Sequence, residues 1–113
     1  MKVIHWTKKE KQALEALKEQ LRQRFGDAVK EIRAFGSRVR GEHTPESDLD
    51  VMILLDMPVD WRLEKEIHYL SADIDLEYDI VLSTRIFSVT EWQSSLFRIT
   101  PLFKNIEREG VPV

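Results

Sequence analysis

The stretch VKEIRAFGSRVRGEHTPESDLDVMILL, residues 29–55, decides the fold of this chain. Its first part, VKEIRAF, alternates between two faces, which predicts a strand that ends at the small residues Gly36 and Ser37. Its last part, from Asp48 to Leu55, is charged only at the start and apolar on both faces afterwards. This pattern predicts a central strand in a sheet that is covered on both sides. The polar residues 38–47 between them predict a loop that begins with one helical turn.

Helices are predicted on both sides of this stretch. Thr7 and Glu10 have the spacing of a capping box, and leucines at helical intervals follow until Gly26. Asp60 can cap a second amphipathic helix, whose apolar residues recur as far as Ile74.

The remaining pattern predicts a third strand over residues 78–82, a helix that starts at Ser88, and a last helix that begins at Thr100 and Pro101 and ends at Gly110. The predicted fold class is α/β (α+β), with helices packed on a small mixed sheet. A length of 113 residues predicts a single domain over residues 1–113.

Composition excludes several kinds of protein. The chain has no cysteine, which removes disulfides, thiolate nucleophiles and Cys-ligated zinc. A net charge of −3 and a pI near 5.6 argue against a protein that follows nucleic-acid backbone, so we expect no direct nucleic-acid partner. The charged start and the lack of a long apolar run predict no signal peptide and no membrane span, and we expect a cytoplasmic protein.

Asp48 and Asp50 are the first candidates for chemistry. Residues two apart in a strand share a face and lie about 6.6 to 6.8 Å apart, so both carboxylates project the same way. Such a pair repels itself unless a cation lies between, and Mg²⁺ accepts carboxylate oxygens while it keeps positions for water or phosphate. Two Mg²⁺ ions of a phosphoryl-transfer site fit this spacing. The spacing alone leaves open that both are solvated turn residues.

The bend at Gly36 and Ser37 is the second candidate site. Glycine allows backbone N–H groups to approach an anion closely, and serine adds a hydroxyl donor. Arg38 and Arg40 place cations beside this bend. A positive phosphate clamp next to a negative metal clamp is what a metal-bound nucleoside triphosphate requires.

Taken together, GSRVRGEHTPESDLD followed by VMILL resembles the signature of the nucleotidyltransferase superfamily with the DNA polymerase β fold. The short chain resembles its minimal members, and the closing PLFKNIEREG is similar to the tail of one branch. The resemblance implies an Mg²⁺-dependent enzyme with two ions and with ATP as substrate. In it, Gly36, Ser37, Arg38 and Arg40 bind the nucleotide and Asp48 and Asp50 bind metal.

The family uses a third acidic residue on a later strand, and the resemblance implies Asp79 for this catalytic and metal-binding role. Asp79 directly precedes the apolar residues Ile-Val-Leu, but Asp75 and Glu77 are close enough in sequence to stay open. The resemblance also implies a partner, a HEPN-domain toxin, which the chain would adenylylate on a tyrosine as its antitoxin.

Two other functions stay open at this point. The chain could be an antitoxin that neutralises its toxin by binding alone, or a nucleotidyltransferase that acts on a small molecule. The sequence does not fix the acceptor, the base of the nucleotide or the oligomeric state, so a homodimer and a hetero-oligomer are both open.

Overall fold

The computed structural model of the chain describes residues 4, 6–41 and 48–113. The described residues form long helices, short helices and strands. In chain order these are α1 (Lys8–Phe25), a 3-10 turn (Gly26–Ala28), β1 (Val29–Phe35), α2 (Ser37–Arg40), β2 (Leu49–Leu55), α3 (Trp61–Tyr78), β3 (Leu82–Ser88), α4 (Val89–Trp92), α5 (Ser95–Arg98), α6 (Pro101–Glu109) and β4 (Val111–Pro112). The helical turn predicted at the start of the polar loop is α2, and residues 42–47 of that loop lie outside the described residues.

Local side chains fix where the long helices begin. At α1 the Thr7 hydroxyl accepts from the Glu10 backbone N–H at 3.1 Å, and the Glu10 carboxylate accepts from the Thr7 N–H at 2.8 Å. This confirms the predicted capping box. The Asp60 carboxylate caps α3 at the backbone N–H of Leu63, at 2.9 Å. Across the described residues, none of the helices has the length and apolar character that crossing a bilayer requires.

The strands form one sheet in the order β3-β2-β1-β4. β2 pairs in parallel with β3, whereas β1 runs antiparallel to both β2 and β4. The predicted small mixed sheet with helices packed on it is therefore confirmed. β2 lies inside the sheet, which explains why it is apolar on both faces.

Each face of the sheet has its own core. One face packs against α1 and α3, and its buried residues include Leu17, Val51 and Ile67. The other face is covered by α4, α5 and α6 around Trp92 and Ile106. Successive β2 residues point to opposite faces, so Asp50 lies on the α4–α6 face, in line with Met52 and Leu54.

The third strand predicted over residues 78–82 is wrong. α3 continues through Tyr78, whose ring packs against the core between α1 and α3, and the helix ends at Asp79 in the left-handed conformation with φ 54°. β3 then begins at Leu82 and runs to Ser88. Tertiary packing thus extends the helix past the point where the local pattern of apolar residues suggested a strand.

Candidate active site

The candidate active site lies where β2 begins. In the antiparallel pairing with β1, Asp50 stands opposite Phe35, the last residue before the Gly36 bend. In the parallel pairing with β3, it stands opposite Ser83. Asp48 is exposed just outside the strand, and Asp50 is partly buried. The sheet therefore brings the predicted bend and the predicted pair of aspartates together.

Gly36 fits against the carboxylate of Asp50. Its φ of 83° lies in the region that favours glycine. A Cβ built on Gly36 would overlap an oxygen of the Asp50 carboxylate and lie 3.0 Å from its Cγ. The glycine of the motif is needed here because the Asp50 carboxylate occupies the space that any other side chain would need.

The pKa of Asp50 is raised. Burial is the main cause, and the negative charge of Asp48 raises it further, whereas the positive charge of Arg85, a hydrogen bond from Ser83 and the charge of Arg40 lower it. A raised pKa means that the neighbouring donors and positive charges do not offset the cost of burying the ionised Asp50 beside Asp48. This is the electrostatic state expected of carboxylates that receive a cation from outside.

The donors present fit Mg²⁺. Within residues 4, 6–41 and 48–113, no group of three or more His, Asp and Glu side chains lies close enough to hold a metal ion. Mg²⁺ does not require such a group, because it is commonly held by one or two carboxylates together with substrate phosphates and water. The carboxylates of Asp48 and Asp50 supply that number.

Ser37 follows the bend at the first position of α2 and is partly exposed. The backbone N–H groups of Val39 and Arg40 both donate to the carbonyl of Gly36 at 3.1 Å, which closes the turn. In the part of the chain that the structure describes, no side chain hydrogen-bonds the Ser37 hydroxyl. That hydroxyl can therefore donate to a ligand that binds beside Asp50.

Arg38 is held by a carboxylate. Its guanidinium donates to Glu10 through Nε at 2.5 Å and Nη2 at 2.8 Å, and lies 5.2 Å from the centre of the Trp6 ring. The two charged side chains are only 10% and 13% exposed. The pair anchors the start of α1 to the helix that follows the glycine bend, so Arg38 positions this bend.

We expect Glu10→Gln to lower the free energy of unfolding by about 1–3 kcal/mol at neutral pH, because Arg38 loses its buried counter-charge. Glutamine still completes the capping box, so the substitution removes the charge alone. Burial raises the pKa of Glu10, but the hydrogen bonds from Arg38 and Thr7 outweigh it, and the net shift is downward.

A lowered carboxyl pKa contributes stability above the ordinary value of 4.5 that is lost as pH falls through the lowered pKa. Urea unfolding between pH 7 and pH 3 should therefore show the difference between parent and Glu10→Gln narrowing below about pH 4.5. The exposed Glu15→Gln on the same helix is the matched control. A difference that stays constant down to pH 3 would contradict this role for the Glu10 charge.

Arg40 also meets a carboxylate, that of Glu109 at the end of α6, at 2.8 Å. The Glu109 side chain is 8% exposed and that of Arg40 is 38% exposed. The charge of Arg40 also lowers the pKa of Asp50, so its guanidinium lies within electrostatic range of that carboxylate. The structure thus brings Arg40 to the site while its pairing with Glu109 ties the site to the C-terminal helix.

Asp79 lies at the end of α3, where it pairs with a lysine of α1. Its side chain is 97% exposed, and its carboxylate pairs with Lys9 at 3.3 Å. Asp75, one turn earlier in α3, accepts a hydrogen bond from the backbone N–H of Leu82 at 3.0 Å. Burial raises the pKa of Asp75, and the negative charge of Asp48 raises it further, so these two carboxylates interact electrostatically.

Two residues near the site were missed by sequence analysis. Ser83 and Arg85 lie on β3, on the same face as Asp50, and both lower its pKa. Arg85 is exposed and forms no ion pair among the described residues. The pattern that could have predicted them is the alternation of Ser83, Arg85 and Phe87 along one face of a strand. It was missed because the third strand was predicted to end at Leu82.

Comparison with known proteins assigns the class of this chain. The family model of the nucleotidyltransferase domain matches residues 14–108. That range includes the glycine bend, both aspartates and all three long strands. The chain therefore belongs to the nucleotidyltransferase domain family, and it is a nucleotidyltransferase.

Individual relatives show which nucleotidyltransferases the chain resembles. The chain is 38% identical over 76 residues to the protein adenylyltransferase MntA of Thermococcus cleftensis, covering 66% of this chain and 75% of the relative. It is 29% identical over 79 residues to a Methanocaldococcus jannaschii protein that is provisionally named a protein adenylyltransferase. The match covers 70% of this chain and 74% of the relative.

Solved structures share the fold. A toxin–antitoxin crystallised with AMP-PNP superposes with a TM-score of 0.58 at 18% identity, over 87% of this chain and 70% of that one. A variant of the MntA–HpeT toxin–antitoxin gives a TM-score of 0.55 at 16% identity, over 83% and 67%. These likenesses confirm the nucleotidyltransferase fold.

Proposed function

We propose that this chain is a protein adenylyltransferase that transfers AMP from ATP to a hydroxyl of a toxin protein and acts as its antitoxin. The relative from Thermococcus cleftensis is named for this activity, and one structure of the same fold carries an ATP analogue within a toxin–antitoxin. The observation on this chain that carries the proposal is the fit of Gly36 against the Asp50 carboxylate. It joins the nucleotide bend and the acidic pair into one site.

In the transfer, the acceptor oxygen forms a bond to the α-phosphorus of ATP, the bond from that phosphorus to the β-phosphate oxygen breaks, and pyrophosphate leaves. Asp48 and Asp50 would hold Mg²⁺, which supplies charge neutralisation on the phosphates. The Ser37 hydroxyl donates to a phosphate oxygen. Arg85, exposed beside Asp50, adds positive charge at the same edge.

The acceptor proposed here is a tyrosine of a HEPN-type toxin. The resemblance in the glycine and aspartate motif supports this choice, and so does the exposed position of Asp48 just before β2. An exposed carboxylate can be reached by a side chain that projects from another protein. The partner would then supply the second half of the site.

A carboxylate must orient the acceptor hydroxyl and accept its proton. The resemblance predicts Asp79 for this role. Asp75 is the second candidate, because the charge of Asp48 raises its pKa. Because the charge of Asp48 acts on Asp75, whereas Asp79 is exposed and paired with Lys9, we expect Asp75→Asn to lower the transfer rate about a hundredfold and Asp79→Asn to lower it less than about fivefold. Asparagine at 75 keeps an oxygen for the Leu82 N–H, so the rate would report the lost charge.

Single-turnover transfer of label from ATP to the toxin measures both variants. The opposite order of effects would show that the segment after α3 rearranges around the acceptor, and it would assign the role to Asp79. Equal and small effects would exclude both residues from proton transfer.

The test of the proposed activity itself uses ATP labelled at the α-phosphate. Incubation with Mg²⁺ and the toxin should place label on the toxin, and mass spectrometry should find one added AMP on a tyrosine. Label at the γ-phosphate should not transfer. Transfer of label to a small acceptor in the absence of any protein partner would instead support the small-molecule alternative.

Neutralisation by binding alone is the second candidate. The observation that favours it is that Asp79 is 97% exposed and pairs with Lys9. Under this alternative the nucleotide site is dispensable for neutralisation. Replacement of Asp48 and Asp50 together by asparagine separates the two functions.

A further inference from the structure

The first turn of α1 contacts two segments that flank the start of β2. β2 lies between β1 and β3 in the sheet, so the glycine bend after β1 and the residues just before β3 lie on its two sides. The side chains of Lys9 and Glu10 bind one segment each. Both residues precede residue 14, where the match to the nucleotidyltransferase domain begins, so the family match assigns them no role.

Glu10 contacts the nucleotide side of the site. Its carboxylate oxygens accept from the Arg38 guanidinium at 2.5 Å and 2.8 Å, and both side chains are largely buried. Arg38 lies in α2, the short helix whose N-cap is Gly36 and whose first residue is Ser37. A two-point contact of this kind fixes the plane of the guanidinium as well as its position. The position of α2, and with it that of the Ser37 hydroxyl, therefore depends on Glu10.

Lys9 contacts the residue that follows α3. Its ammonium donates to the backbone carbonyl of Asp79 at 3.2 Å and to the Asp79 carboxylate at 3.3 Å. Among the described residues, Asp79 is the only one other than glycine with a positive φ. Such a conformation is costly for a residue with a side chain and persists where neighbouring contacts hold it. Lys9 supplies one such contact to the backbone and one to the side chain.

The segment that Lys9 holds is bonded to both acidic parts of the site. The carboxylate of Asp75 accepts from the backbone N–H of Leu82 at 3.0 Å. The carbonyl of Val81 accepts from the backbone N–H of Leu49, the residue between the two metal-binding aspartates, at 2.9 Å. A displacement of this segment would therefore move the candidate proton acceptor relative to the start of β2.

We propose that Lys9 and Glu10 are positioning residues for AMP transfer, which together hold the nucleotide bend and the acceptor-side carboxylate on the two sides of the aspartate pair. Glu10 acts through Arg38, and Lys9 acts through the segment that begins at Asp79. The two residues are adjacent in one capped helical turn, so the α1 backbone sets the distance between their contacts. This role rests on the proposed function, but nucleotide binding tests part of it without any transfer.

Titration of the purified chain with ATP and Mg²⁺, in the absence of toxin, tests the Glu10 contact. We expect Glu10→Gln to raise the Kd for ATP about fivefold to tenfold, because the bend is less firmly held, and the exposed Glu15→Gln to leave it unchanged. Arg38→Lys keeps the charge but loses the two-point contact, so it should raise the Kd by a similar factor.

The double variant of Glu10→Gln and Arg38→Lys should bind ATP no more weakly than either single variant, because both changes remove the same contact. An unchanged Kd in Glu10→Gln would overturn the proposal. Tighter binding would also overturn it, since the role of Glu10 would then be to keep Arg38 away from phosphate.

Single-turnover transfer to the toxin at saturating ATP tests the Lys9 contact. We expect Lys9→Met to lower the rate about threefold to fivefold and to leave the Kd for ATP unchanged; the factor is modest because the pair with Asp79 is exposed. Lys9→Arg keeps donors at this position and should restore most of the rate. Lys8→Met, on the same turn, is the matched control. A rate in Lys9→Met equal to that of Lys8→Met would overturn the role of Lys9.

Failure of these roles and failure of the proposed function give different results. A parent chain that binds ATP but transfers no AMP would exclude the proposed function, while the Kd values still decide the role of Glu10. Hydrogen exchange at the Leu82 amide then decides for Lys9: faster exchange in Lys9→Met than in Lys8→Met supports it, and equal rates overturn it. Transfer by the parent, with the same Kd and rate in every variant, would overturn both positioning roles and leave the proposed function standing.

Discussion

Replacement of Asp48 and Asp50 together by asparagine should reduce AMP transfer about a thousandfold or more without unfolding the chain. The two carboxylates are the donors that fit Mg²⁺ at this edge, and asparagine cannot supply their charge. The same substitution should leave the chain as stable as the parent or more stable. Asp50 has a raised pKa because of burial and the neighbouring Asp48, so its ionised form disfavours the fold at neutral pH.

Three measurements on this double variant decide the function. Transfer of label from ATP reports the chemistry, thermal unfolding reports the fold, and co-purification with the toxin reports the complex. The exposed Glu15→Gln serves as the control for removing a carboxylate elsewhere. Loss of transfer and of neutralisation, with the complex intact, is the result expected of an enzyme. A double variant that still neutralises the toxin would favour the antitoxin that acts by binding alone.

Gly36→Ala should be the most damaging single substitution at the site. The added Cβ would overlap the Asp50 carboxylate, and φ 83° is a conformation that alanine rarely adopts. We expect transfer to fall about a hundredfold or more, and the free energy of unfolding to fall by about 1–3 kcal/mol. The Asp50 carboxylate must then move away from the glycine bend, so the nucleotide and the metal ion can no longer bind next to each other.

Gly41→Ala is the matched control for this substitution. Gly41 has a φ of 78°, but a Cβ there would meet no atom of the described residues within 4 Å. It therefore carries the backbone strain without the overlap, and its effect on transfer should be small. If the two alanine variants lose activity equally, backbone conformation alone explains the glycine, and contact with Asp50 is not what the motif requires. Urea unfolding of both variants separates stability from activity.

Much of the fold could be predicted from patterns that are local in sequence. Thr7 with Glu10 predicted the start of α1, and the apolar run after Asp50 predicted a central strand. These predictions succeed because caps and hydrophobic periodicity act over a few residues. The prediction of residues 78–82 as a strand failed because the end of α3 depends on packing against α1, which no local pattern contains.

The sequence by itself determined the class of the protein, the glycine bend and the pair of aspartates, because spacing along one bend and one strand sets their relation. Only the tertiary structure decided what surrounds them. It tied Arg38 to Glu10, paired the exposed Asp79 with Lys9, and brought Ser83 and Arg85 beside Asp50. Those relations arise from strand order and from the packing of α3, which join residues distant in the chain through burial and charge.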